Sequence, residues 1–195
     1  MKIGFDAKRF LLNETALGNY SRDLIKGILE LEIEDDYFLF TTEEKNTLKT
    51  KFIKDYSNVR VITPSAFYRR FKSYWRSVRL EKQLIKNKVE VFHGLSHEIP
   101  KKGKLSKIKY VVTVHDLIFL RFPENYNRID RKIYKKKVEY ACTHADKIIA
   151  ISEQTKRDIM HFLKISESKI QVIYQTCSSS FDHISDYRYR DLVLK

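Results

Sequence analysis

Short apolar runs rich in Ile, Val, Phe and Tyr recur along the chain, and longer segments with apolar residues at helical spacing separate them. This alternation is the pattern of a parallel sheet covered by helices, so the expected fold class is α/β, a Rossmann-like doubly wound sheet. The predicted strands are residues 2–5, 37–41, 59–62, 89–93, 109–114, 147–151 and 171–174, and the predicted helices 18–31, 43–56, 67–86, 129–144 and 152–163. Residues 6–16 read as a long loop. Beyond the last run the pattern ends, which predicts one domain over 1–176 and a connector over 177–195.

In doubly wound sheets ligands sit beyond the carboxyl ends of the strands, so the polar residues that follow each run are the candidates for chemistry. After the first run, Ala16, Leu17, Gly18 and Asn19 open a helix whose amide end can face an anion. A glycine there serves equally as a turn or capping residue. The fourth run ends in His93 and Gly94, with His97 and Glu98 close behind, which is either a polar turn or a site. The fifth runs straight into His115 and Asp116, placing a titratable imidazole at the crevice with a carboxylate beside it. After the sixth, Ser152 is suited to cap the next helix, with Glu153 behind it, and a ligand contact from the same helix end is a second use.

The helix predicted over 67–86 places Phe67, Phe71, Tyr74, Val78 and Ile85 on one face and Arg69, Lys72, Arg76 and Arg79 roughly opposite, with Trp75 near the border. It reads either as a core helix with a solvated basic face or as a helix lying on anionic lipid headgroups, with Trp75 at the interface.

Charge sharpens this picture. The formal net charge is +13, which suits nucleic acid, an anionic membrane surface or phosphorylated small molecules. The initial apolar run is broken by Asp6 before a secretory core forms, and no later run is long enough to span a bilayer, which points to a cytoplasmic protein. The two cysteines, Cys142 and Cys177, lack the spacing of a zinc or redox motif, so neither a metal nor a disulfide is expected.

Four motifs in order, Thr15 to Arg22, Val91 to Gly94, Thr113 to Leu117 followed by Pro123, and Ala145 to Glu153, resemble the N-terminal domain of the retaining, GT-B-fold glycosyltransferases. That group includes many bacterial mannosyl- and glucosyltransferases. The resemblance implies a nucleotide-sugar donor as substrate, no further cofactor, and a glycan or lipid-linked acceptor. It also implies a donor-diphosphate loop at 16–19, a catalytic role for His115, and an acceptor side at His93, Gly94, His97 and Asp116. Ala16 stands where the family loop usually has its first glycine, and the paired glutamates of the family's C-terminal domain have no counterpart here. The resemblance therefore implies that this chain works with a C-terminal domain of the same enzyme and is inactive by itself. Two other readings stay open: a basic nucleic-acid-binding module, disfavoured because no known nucleic-acid-binding motif is present, and a non-catalytic scaffold peripheral to a membrane.

Overall fold

The computed structural model describes residues 1–31, 33–44, 47–103 and 106–175. Its centre is a seven-stranded sheet, parallel at every pairing, in the order β3-β2-β1-β4-β5-β6-β7. The strands are β1 Lys2–Asp6, β2 Asp36–Phe40, β3 Val59–Ile62, β4 Val91–Gly94, β5 Lys109–Val114, β6 Lys147–Ala150 and β7 Ile170–Val172. Each predicted strand is present, with ends moved by at most two residues. The connector expected over 177–195 lies outside the described residues.

The chain builds outward from β1 to β3, then returns to the other side of β1 to lay down β4 through β7. Right-handed crossovers then put the helices before and after this return on opposite faces. On one face α1 Lys8–Leu12 and α2 Ala16–Glu30 bury Phe10, Leu11, Ile25 and Leu29 against Phe5, Tyr37 and Leu39. On the other, α4 Leu80–Lys86, α6 Arg128–His144 and α7 Glu153–Leu163 pack Leu80, Leu84, Val138, Ala141 and Ile159 against Phe92, Tyr110, Val112 and Ile148. The return creates a switch point beside β1 and β4, where the loops at the carboxyl ends diverge and leave a crevice.

Two of the predicted helices are corrected. The segment expected as a helix over 43–56 is a 3₁₀ helix, Leu48–Asp55, opened by a reciprocal cap between Thr47 and Thr50. Its buried residues, Thr50 and Ile53, recur every third position, which a 3₁₀ turn satisfies and an α turn does not. The long helix expected over 67–86 is broken into a 3₁₀ helix Ala66–Phe71, one α turn α3 Lys72–Tyr74, a π turn Trp75–Arg79, and α4. In the π turn the Leu80 amide reaches back to the Trp75 carbonyl, and the Ser77 carbonyl instead accepts the Lys101 amide at 2.7 Å.

That irregularity rotates every side chain before it relative to a regular wheel. Phe67, Phe71, Tyr74 and Ile85, expected in the core, are exposed, Phe67 by 70%. Trp75, expected at a membrane interface, is 1% exposed and packs in the core with Leu80 and Phe119. Arg76 is likewise turned inward, onto Asp6 and Glu98, and Arg79 is half-buried with its guanidinium 5.1 Å from the Tyr68 ring centre. Of the five proposed membrane residues Arg69 and Lys72 are exposed, Lys72 in an ion pair with Glu43. No helix among the described residues is long and apolar enough to cross a membrane.

The stretch expected as a loop after β1 contains α1, and the segment after His115 contains α5 Ile118–Arg121. Both are too short to show a helical period in sequence.

Candidate active site

The carboxyl ends of β4 and β5 bring three histidines together. His93 is the penultimate residue of β4 and is buried. Its Nε2 lies 2.8 Å from Thr113 Oγ1, and Thr113 Oγ1 lies 3.0 Å from the Tyr20 hydroxyl on α2. Tyr20 in turn stands edge-on to His115, with ring centres 4.7 Å apart and planes at 89°. A polar chain therefore runs from β4 through β5 to a tyrosine that packs against the imidazole marked by the sequence.

His115 is fixed on every side. Its Nε2 lies 3.0 Å from the Leu95 carbonyl, which only accepts, so Nε2 carries the proton and Nδ1 keeps its lone pair. Nδ1 faces the Gln175 side-chain amide at 3.2 Å, and the His115 carbonyl accepts from the Thr155 hydroxyl at 2.9 Å. Burial lowers its pKa from the ordinary value, more than the Leu95 contact and Asp116 raise it. A neutral, tautomer-defined imidazole results.

His97 supports it. The His97 Nε2 accepts the backbone N–H groups of His115 at 3.0 Å and Asp116 at 3.4 Å, so it too is neutral, with its proton on Nδ1 beside Ser96. Burial, and then the nearby His115, push its pKa down to about 4. His97 adopts a left-handed backbone with φ 59°. Gly94 makes the turn that carries it possible, because a Cβ at Gly94 would lie 2.0 Å from the Glu98 carbonyl oxygen.

The predicted donor loop has a different local logic. Thr15 precedes α2, and the Asn13 side-chain oxygen accepts from the amides of Thr15 and Gly18, each at 3.0 Å. The Asn19 amide is bonded to the Thr15 carbonyl. Of the first-turn amides, those of Ala16 and Leu17 have no such partner among the described residues, as the geometry of a helix start requires. Gly18 is needed for close packing, since a Cβ there would lie 1.9 Å from the Asn13 carbonyl oxygen. Asn19 is turned aside and accepts from Arg22.

Ser152 caps α7, accepting the Thr155 amide at 3.0 Å, while Glu153 is exposed in the first turn, where it complements the helix dipole. Among the described residues Ser152 thus reaches His115 through Thr155, and Glu153 makes no hydrogen bond or ion pair with the histidines.

A cleft of about 210 Å³ opens beside this cluster, lined by Arg9, Ser96, His97, Glu98, Asp116, Phe119, Tyr126, Tyr134, Lys137 and Val138. His97 and Asp116 were marked by the sequence. Tyr20, Thr113, Arg9 and the aromatic rings were not, since each sits inside a helix, a strand or a loop whose relation to the histidines exists only once the sheet is assembled. Among the described residues no group of three or more His, Cys, Asp or Glu side chains is arranged to hold a metal ion.

Among solved structures, the chain is similar to a glycosyltransferase from Rickettsia africae ESF-5, with 16% identity over 99% of this chain and 48% of that one and a TM-score of 0.49. It is also similar to the lipopolysaccharide outer core galactosyltransferase WaaB in its apo form, with 17% identity over 91% of this chain and 46% of that one and a TM-score of 0.51. The second likeness is one of fold, and the chain spans just under half the length of either structure. No curated protein sequence matches it. The Glycosyltransferase Family 4 profile matches residues 17–176, from the start of α2 past the end of β7, and the chain accordingly belongs to glycosyltransferase family 4.

Proposed function

We propose that the chain is the acceptor-side, N-terminal half of a retaining glycosyltransferase that moves a hexosyl unit, with mannosyl the first candidate, from a nucleotide sugar to a lipid-linked or polysaccharide acceptor. The observation that carries this reading is the buried, neutral His115 at the end of β5 beside the cleft. In glycosyl transfer the sugar gains positive charge and the departing phosphate negative charge, so the cleft must orient dipoles and donors around both. With Nε2 engaged by Leu95, the Nδ1 lone pair is the atom of this neutral imidazole that can accept from a sugar hydroxyl, in exchange for the Gln175 amide, without adding a cation beside the developing positive charge. The amides of Ala16 and Leu17, at the start of α2, are the groups of this chain best suited to the donor diphosphate.

The nucleotide and the remaining diphosphate contacts are assigned to a C-terminal domain, in keeping with the length of the matched structures. On this reading the 195 residues alone have little turnover. The exposed Phe67, Phe71 and Tyr74, interleaved with Arg69, Arg70 and Lys72, suit peripheral binding to the anionic cytoplasmic face of a membrane, where a lipid-linked acceptor is presented.

The stereochemical part is tested by NMR of the anomeric proton in the product formed by the full native protein. Retention of the donor configuration is expected; an inverted product contradicts the reading.

A further inference from the structure

Arg76 lies in the π turn, a geometry that recurs where a side chain is re-aimed for a role. Its Nη2 meets Asp6 Oδ2 at 2.5 Å and Glu98 Oε2 at 3.4 Å. Burial works against its charge, yet Asp6 and Glu98 outweigh that and raise its pKa. Its Nε hydrogen is buried without an acceptor among the described residues. A buried ion pair is a poor source of net stability, because desolvation offsets the attraction. The arrangement is better explained by what it holds in place.

What it holds is first Asp6, which accepts its hydrogen bond, and then Glu98, which it meets in a longer ion pair. The other oxygen, Oε1, takes the Lys137 ammonium at 3.1 Å, so the carboxylate is stretched between the segment after β3 and α6. It forms part of the cleft wall beside His97 and Asp116. An ionised carboxylate has about four acceptor sites, and these two cations leave the rest for a ligand. Facing the same cleft are the rings of Tyr126 and Tyr134. A fixed acceptor beside aromatic faces is suited to a pyranose, whose C–H face packs on a ring while a hydroxyl donates sideways.

We propose that Glu98 is a specificity-determining residue that accepts a hydrogen bond from a hydroxyl of a sugar acceptor, and that Arg76 is the positioning residue that, with Lys137, holds its carboxylate at the cleft wall. The proposal rests on the glycosyltransferase reading and names the acceptor class at its site.

The test is steady-state kinetics of the full native protein with a panel of mono- and oligosaccharide acceptors, comparing wild type with Glu98→Gln, Arg76→Lys and Arg76→Met. Glu98→Gln and Arg76→Met are expected to raise the acceptor KM roughly tenfold or more, the size of a lost hydrogen bond to a charged group. Arg76→Lys should recover part of the loss, and the KM for the nucleotide sugar should move by less than about twofold, since only acceptor binding is changed. Should Arg76→Met fail to fold, Glu98→Gln and Arg76→Lys still decide. Unchanged acceptor KM values in those two variants overturn the proposal and leave the glycosyltransferase reading standing. Transfer by wild type to non-sugar acceptors alone does the same. A wild type that consumes no nucleotide sugar overturns both.

Discussion

The His97 imidazole accepts the backbone N–H of His115 at 3.0 Å, so one histidine holds the main chain of the other. His97 does so from a left-handed backbone, φ 59°, a conformation costing roughly 1–2 kcal/mol for a residue with a side chain. That cost is offset by the hydrogen bond from the His97 amide to the Thr113 carbonyl at 2.9 Å and by the two backbone amides that Nε2 accepts. His97→Ala should therefore cut turnover of the full native protein about 10-fold to 100-fold, as expected when a catalytic group is misplaced by an ångström or less. His97→Gln, which keeps an acceptor, should lose less. The two kcat values, measured side by side, check this.

Acid should destabilise the fold through His93. Burial lowers its pKa from 6.5 to about 4, so between these values the unfolded chain binds a proton that the folded chain does not. The stabilising contribution is complete above pH ~6.5 and is lost as pH falls toward ~4, for a total of about 3 kcal/mol. Urea unfolding at neutral and mildly acidic pH should show this loss. In His93→Gln, which can still bond Thr113 and does not titrate, the pH dependence should be visibly smaller.

Gly18→Ala and Gly94→Ala should each destabilise by about 1–3 kcal/mol, because the added methyl would overlap a backbone carbonyl in either case. Their functional effects should differ. Gly94→Ala disturbs the turn that carries His97, whereas Gly18→Ala disturbs the Asn13 cap and the start of α2. Chemical denaturation gives the stability, and the histidine side-chain NMR signals should shift more in Gly94→Ala.

Membrane binding should follow the exposed residues and not those assigned by a regular helical wheel. Arg69→Glu with Arg70→Glu should weaken binding to anionic vesicles by about 30-fold or more, at ~1 kcal/mol for each cation lost near the surface. Trp75→Ala should act on folding, destabilising by about 3–5 kcal/mol as a buried aromatic does. Vesicle sedimentation and thermal melting separate the two effects; equal vesicle binding by the double variant and wild type would contradict the membrane assignment.

The strands were legible because a parallel sheet buried on both faces demands apolar runs, as in Lys109–Val114, which matches the reading residue for residue; the edge strand Val59–Ile62 matches too, marked by its alternating β-branched residues although Arg60 is exposed. The position of His115 was legible because it follows the last residue of an apolar run that does form β5. Ser152 was read as a cap and is one. The segment before α4 was misread because sequence periodicity assumes one helical pitch, and the change from 3₁₀ to α to π exchanges the faces. Tyr20, Thr113 and Arg76 were out of reach for another reason: their partners lie 93, 20 and 70 residues away, and nothing local marks such pairs.

The most direct test of the account is mass spectrometry of acceptors incubated with a panel of nucleotide sugars and the full native protein, run in parallel with its His115→Ala variant. The account predicts an acceptor heavier by one hexosyl unit, dependent on one donor, with turnover reduced about 100-fold or more in the variant, which melts lower but stays folded at the assay temperature. Transfer at the same rate by His115→Ala, or no transfer from any donor by the wild type, would contradict it.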